Sequence, residues 1–409
     1  MVPLKKSIAF IQTPLLKKRF AMKSDIKKDL ISASELKTVG KNKEALKFYK
    51  KAFDDDPEEF SIKQKIDYAW TIYHVRIKKS ENPEEVMDCA GFITQLLNQR
   101  DLNNHPNCVY TSSVFRVLVL LKKREDYDGM LEWLDKLNPE LLDKKPYRKY
   151  GRFNKSKKEK YYDWLTIASL KTMEFEKCIE ESKRALDTFE TFLDDGDTWY
   201  RWRIAKSLME LGRLKEALTY YMQVIEVKHD WYMYRDIAEI HLRFNRPQEA
   251  LKYICPAVLS SQSNATKAGI YYLAYRVFRS FNMDMAIKHA QLYFILQKER
   301  GYEIPYEIEK LNFDASKINR RLLEREIRAL WMKYKFKDQK LQHGTVINFN
   351  NEKNYGFINN ESDESIFFHK NDFKGKEVYV GQLVSFYTEK NYDRVKDQES
   401  IKAVNIRGE

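Results

Sequence analysis

The sequence predicts a multidomain chain, with a long run of paired helices followed by a small all-β module of five short strands. Three observations predict it. The 409 residues hold only 13 Gly and 10 Pro, which favours long helices over most of the length. Small residues and aromatics recur in one helical register, with Ala217 and Ala250 33 positions apart. From about residue 342 the apolar period shortens from about 3.6 to 2. A chain of this length exceeds one hydrophobic core, so separate domains are expected.

The N-terminus comes first. Residues 1–24 carry six basic groups and no acidic one, among them Lys5, Lys6, Lys17, Lys18 and Arg19. The stretch reads as a basic arm, and an organelle transit peptide is the other reading. No apolar run reaches the roughly 18 residues a membrane span needs.

Residues 25–313 form the repeat region. GKNKEALKFYKKAFDDDP (40–57) places Gly40, Ala45, Tyr49, Ala52 and Pro57 in a register that recurs downstream. Gly212, Ala217 and Tyr221 repeat it, then Asn245, Ala250 and Ala257. Ala286 begins another copy, Cys178 and Ala185 mark an earlier one, and 125–137 is a looser one. Two helices pack closely only where side chains are small, and aromatics fill the gaps between neighbours. A lone hairpin cannot bury its apolar face, so such hairpins stack. The register resembles the tetratricopeptide (TPR) repeat. That resemblance implies a TPR-like α-solenoid of roughly six to eight hairpins and a protein or ribonucleoprotein partner on it.

Residues 314–341 read as one basic capping or linker helix. Leu323, Ile327, Leu330, Trp331 and Tyr334 share a face, and Asp314 or Ser316 is placed to cap its start. Its arginines Arg320, Arg321, Arg325 and Arg328 are candidate phosphate contacts.

Residues 342–409 alternate like strands, with Asn-rich turns between them. Such strands suit a closed OB-type β-barrel. The stretches Gly344-Thr345-Val346, KNYGFI (353–358), IFFHK (366–370) and Gly381-Gln382-Leu383-Val384 follow one another as in the cold-shock domain. This segment resembles that family along nearly its whole length, which implies single-stranded nucleic-acid binding. Alternate strand residues share a face, so Tyr355 and Phe357 point one way, as do Phe367 and His369 on the next strand. Together they offer a platform for unstacked bases, with Lys353 and Lys370 for phosphates. Gly356 is expected to leave room between the rings. Val346, Ile358, Val384 and Phe386 are expected to fill the interior. The sequence departs from the family at Ile347 (usually Lys), Asn348 (Trp), Asn354 (Gly) and Lys370 (an aromatic), so a reduced footprint is expected.

A second candidate contact is the segment 143–160, with nine basic and two acidic residues. Lys144, Lys145, Arg148, Lys149 and Arg152 alternate with Tyr147, Tyr150 and Phe153, a mixture that suits phosphates and bases together. The whole chain carries +13, yet 342–409 has nine basic and eleven acidic residues, so the excess lies outside the barrel.

Catalytic signals are absent from the sequence. It shows no phosphate-binding Gly-rich loop, zinc-protease motif or nucleophile elbow. The seven histidines are dispersed, and His241 reads as a core residue. The four cysteines, Cys89, Cys108, Cys178 and Cys255, read as buried thiols of a reducing, cytoplasmic compartment. The expectation is a non-catalytic protein, without metal or cofactor, that binds single-stranded RNA, with single-stranded DNA the open alternative. Ribosome association, translation control and RNA chaperoning are the settings it suits. A protein-scaffold adaptor or an accessory subunit of an RNA-directed enzyme are the rival readings.

Overall fold

A computed structural model of the chain describes residues 9–102, 108–149, 151–375, 377–393 and 398–409. It divides into two compact units, one reaching Lys228 and one starting at His229.

The first unit is built of helices α1 (Ala9–Thr38), α2 (Asn42–Asp55), α3 (Ile62–Ile72), α4 (Pro83–Leu96), α5 (Val109–Lys123) and α6 (Tyr127–Leu134). A two-stranded hairpin follows, β1 (Tyr147–Lys149) and β2 (Arg152–Asn154). Helices α7 (Lys157–Lys171), α8 (Phe175–Thr188), α9 (Gly196–Glu210) and α10 (Leu214–Ile225) complete it. Each odd-numbered helix packs on the next even one. Residues 9–24, expected as an arm, are the start of α1. Their Leu, Lys, Arg, Ala and Met are strong helix formers, which outweighs the single Pro14. A π-helical turn, Tyr73–Ile77, extends α3.

The small positions are where close approach is needed. Ala45, Ala52, Cys178, Ala185 and Ala217 are fully buried, and Tyr49 and Tyr221 fill the spaces between helices. The turns share one device. Gly40, Glu125, Met173 and Gly212 each lie two residues before the second helix of a hairpin, and each has positive φ. The left-handed residue lets the following N–H reach back to a carbonyl in the preceding helix, as Lys41 does to Leu36 and Arg213 to Leu208, both at 2.9 Å.

The second unit continues with α11 (Trp231–Arg243), α12 (Pro247–Leu259), α13 (Ala268–Phe278), α14 (Met283–Arg300), the short α15 (Tyr306–Glu309) and α16 (Arg320–Lys335). Asn245 repeats the left-handed turn before α12, and Ala250, Ala257 and Ala286 are fully buried. The two units thus hold seven helical pairs among the described residues.

The helix expected from residue 314 starts later. Asp314 caps a separate 3-10 turn, Ala315–Lys317, while the Asn319 side chain accepts the Leu322 N–H at 3.1 Å and starts α16. Two short polar caps in succession break the helix between them. The predicted face does form: Leu323, Ile327 and Trp331 are buried, and Leu330 and Tyr334 pack beside them.

Strands β3 (Gln342–Asn350), β4 (Tyr355–Asn360), β5 (Ser365–His369), β6 (Leu383–Asp393) and β7 (Gln398–Gly408) close into a barrel in the order β3-β4-β5-β7-β6. The β5–β7 pairing is parallel and the others antiparallel. Val346, Ile358, Val384 and Phe386 fill the interior as expected, with Ile366, Phe368, Phe373, Ala403 and Ile406. Phe336, just past α16, stacks on Tyr387 of β6 with ring centres 4.3 Å apart, and Lys335 pairs with Glu389.

Candidate nucleic-acid interface

Strands β4 and β5 present one polar and aromatic face outward and one apolar face inward. Tyr355 lies opposite His369, and Phe357 opposite Phe367. All four are half-buried, whereas the alternating Ile358, Ile366 and Phe368 are in the core. The outward rings touch. Tyr355 and Phe367 lie 5.8 Å apart and 33° from parallel, and Phe357 stands edge-on to both, at 6.2 and 5.9 Å. Three rings therefore meet in one half-exposed patch on the outer face of the barrel.

Gly356 does not sit between those rings. It faces inward, where an added Cβ would lie 2.7 Å from the Phe368 ring and closer still to the Asn348 carbonyl. Its role is close packing beneath the platform. Asn354, where the family has Gly, holds φ +55, a conformation that Asn tolerates better than most residues.

The polar candidates surround the platform. Lys353 is exposed in the β3–β4 turn, and its N–H donates to Asn350 Oδ1. The Lys370 ammonium lies over the Phe349 ring, 5.8 Å from its centre. His369 Nδ1 accepts the Asn371 N–H at 3.2 Å, which leaves Nε2 as the free edge of the ring. Sequence reasoning missed Lys402, which pairs in register with Phe367 and lies 3.6 Å from Asp372. Its signal is a long-range parallel pairing with no mark in the local sequence.

The second candidate cluster belongs to the first unit. The β1–β2 hairpin turns at Gly151, φ +78, and leaves Phe153 68% exposed. Arg148 lies over the Phe153 ring at 5.9 Å. The Lys160 ammonium donates to the Tyr147 hydroxyl at 2.9 Å. Lys144 lies 6.0 Å from the Phe189 ring centre, and the Lys145 N–H donates to Asp143. Lys145, Tyr147, Arg148, Lys157 and Lys160 line an open groove of about 640 Å³ with Tyr73 and Arg116. Burial lowers the Lys157 ammonium below the ordinary lysine range. Arg152 is exposed, Lys149 ends β1, and Tyr150 lies outside the described residues.

His241 and three of the four cysteines are packed in the helical core. His241 is buried against Tyr253, and burial lowers it. Cys108, Cys178 and Cys255 are buried and Cys89 is half-buried. Burial raises the Cys255 thiol to about 12, so it is a poor nucleophile. Among the described residues no cluster of His, Cys, Asp or Glu is placed to hold a metal ion. Among the same residues no helix is long and apolar enough to cross a membrane.

Comparison with known proteins identifies the same two modules. Residues 342–408 match the family described as the 'Cold-shock' DNA-binding domain. Residues 200–230, spanning most of α9 and all of α10, match the tetratricopeptide repeat. Among curated proteins none matches the sequence. Similar solved structures include BtubC from P. vanneervenii, 13% identical over 55% of this chain and 94% of that one, with a TM-score of 0.38. A tetratricopeptide repeat protein from Parabacteroides merdae is 13% identical over 76% and 99%, with a TM-score of 0.32. The pilF protein of Pseudomonas aeruginosa is 11% identical over 71% and 98%, with a TM-score of 0.31. The cold-shock module suggests nucleic-acid binding, and the repeat suggests protein interaction. Both are non-catalytic families.

Proposed function

We propose that this chain is a non-catalytic protein that binds single-stranded RNA through its barrel and a protein partner through its helical hairpins. The observation that carries the reading is the mutual contact of Tyr355, Phe357 and Phe367 on the outer face. A separate set of residues fills the interior, so those rings are not part of the barrel core. Each stacked base contributes roughly 1–3 kcal/mol, whatever its identity. In this reading residues 342–409 are the base-contacting module, and the repeats to residue 313 are the scaffold. The β1–β2 hairpin adds affinity that does not depend on sequence, and the protein works in the cytoplasm.

The test is fluorescence anisotropy with labelled oligouridylate and the full chain. Tyr355→Ala and Phe357→Ala should each weaken binding about 5- to 160-fold while leaving the barrel folded. Wild-type affinity in both variants would remove the platform from the account. A second reading, a barrel that docks a protein, is favoured by the nine basic against eleven acidic residues of 342–409. It requires Tyr355→Ala to abolish capture of a partner and to leave RNA affinity unchanged.

A further inference from the structure

Helix α16 carries its charges on two sides. Arg320 pairs with Glu299 and Glu324, and Lys288 pairs with Glu326. Both carboxylates of the helix are therefore engaged. Arg321, Arg325 and Arg328 follow at steps of four and three, so they share a face. Together with Glu324, Ile327, Val258, Asn264 and Tyr271 they line a groove of about 350 Å³. Among the described residues none of the three arginines forms an ion pair with a carboxylate.

Two lysines add to the positive charge near the groove. Lys267, 2% exposed, donates to the Val258 carbonyl at 2.6 Å, the Ser260 carbonyl at 2.8 Å and the Ser260 hydroxyl at 3.3 Å. Burial, then the charge of Arg328, lowers its ammonium to about 8. On the barrel, the Lys374 N–H donates to the Ile406 carbonyl at 2.7 Å, which places Lys374 beside Arg407. Lys374 is also lowered, first by burial and then by Arg407 and Arg328. Lys374 follows His369 and Lys370 of the platform by five and four residues along the chain.

We propose that the groove of Arg321, Arg325 and Arg328 binds the phosphodiester backbone of the strand whose bases stack on the barrel. It rests on the reading above and supplies what the slightly acidic barrel lacks. A low-dielectric groove lined by like charges focuses their field, and a guanidinium fork matches phosphate oxygens. Arg320, spent on Glu299 and Glu324, takes no part.

The experiment uses the full chain, oligouridylates of 4 and 16 nucleotides, and a salt titration. The triple variant Arg321→Gln/Arg325→Gln/Arg328→Gln should bind the long strand at least about 10-fold more weakly near 0.1 M salt. Its log-affinity slope should flatten by about 2, at roughly 0.7 per lost phosphate contact. The short strand should bind as to wild type, and the corresponding triple Lys variant should recover the slope. If the Gln triple does not fold, Arg325→Gln alone should flatten the slope by about 0.7. An unchanged slope with the long strand overturns the groove while leaving the platform standing. Wild-type protein that binds neither strand overturns both.

Discussion

At the scale of single residues, burial settles protonation and tautomer. His289 is fully buried between α14 and α16. Its Nε2 accepts the Trp331 indole N–H at 2.8 Å, and its Nδ1 donates to the Met285 carbonyl at 2.7 Å. Both nitrogens are engaged only in the neutral ring, and burial lowers its pKa to about 4. In the unfolded chain the ring titrates near 6.5. Between these values the unfolded state binds more protons, so stability is full above about pH 6.5 and declines as pH falls toward 4. The loss by pH 5 is about 2 kcal/mol, at about 1.4 kcal/mol per unit. Urea unfolding of the second unit at pH 7 and pH 5 should show that drop in wild type. It should be much smaller in His289→Gln, and an equal drop in both would assign the pH dependence elsewhere.

At the scale of elements, the hairpin turns show local chemistry at work. Five hairpins place a left-handed residue two positions before their second helix, and the occupants are Gly40, Glu125, Met173, Gly212 and Asn245. Gly and Asn suit that conformation, while Glu125 and Met173 pay about 1 kcal/mol of backbone strain there. Met173 is 74% exposed, so its side chain contributes little packing in return. Met173→Gly should raise stability by about 0.5–1 kcal/mol in a urea titration, despite the entropy that a glycine adds to the unfolded chain. A destabilised variant would mean that the turn carries no strain. The same spacing made the hairpins legible in sequence. At Glu125 and Met173 it had no Gly to mark it, and only the backbone reveals the shared turn.

At the scale of the second unit, an aromatic contact joins the helices to the barrel. Phe336 is 3% exposed and lies 5° from parallel with Tyr387. Truncating a buried aromatic typically costs about 3 kcal/mol. Phe336→Ala should therefore separate barrel unfolding, followed by hydrogen exchange of its strand amides, from loss of helix at far-UV wavelengths. Coincident transitions in the variant would show that the contact does not couple the two parts. The covalent link is short and basic, and the Lys335–Glu389 pair adds to the contact at this junction.

Sequence by itself determined the two architectures and the change between them near residue 342, because helical and strand periods are local and repeat within a few residues. It also determined the facing of Tyr355, Phe357, Phe367 and His369, since strand alternation follows from backbone geometry alone. Tertiary structure decided what depends on distant partners. It turned Gly356 inward against Phe368 and placed Lys402 beside Phe367. It also divided four arginines of one helix into Arg320, held by Glu299 and Glu324, and three that form no ion pair among the described residues. The Glu324 partner of Arg320 is one helical turn away, but its Glu299 partner lies on another helix 21 residues back, and that half of the pairing has no mark in the local pattern.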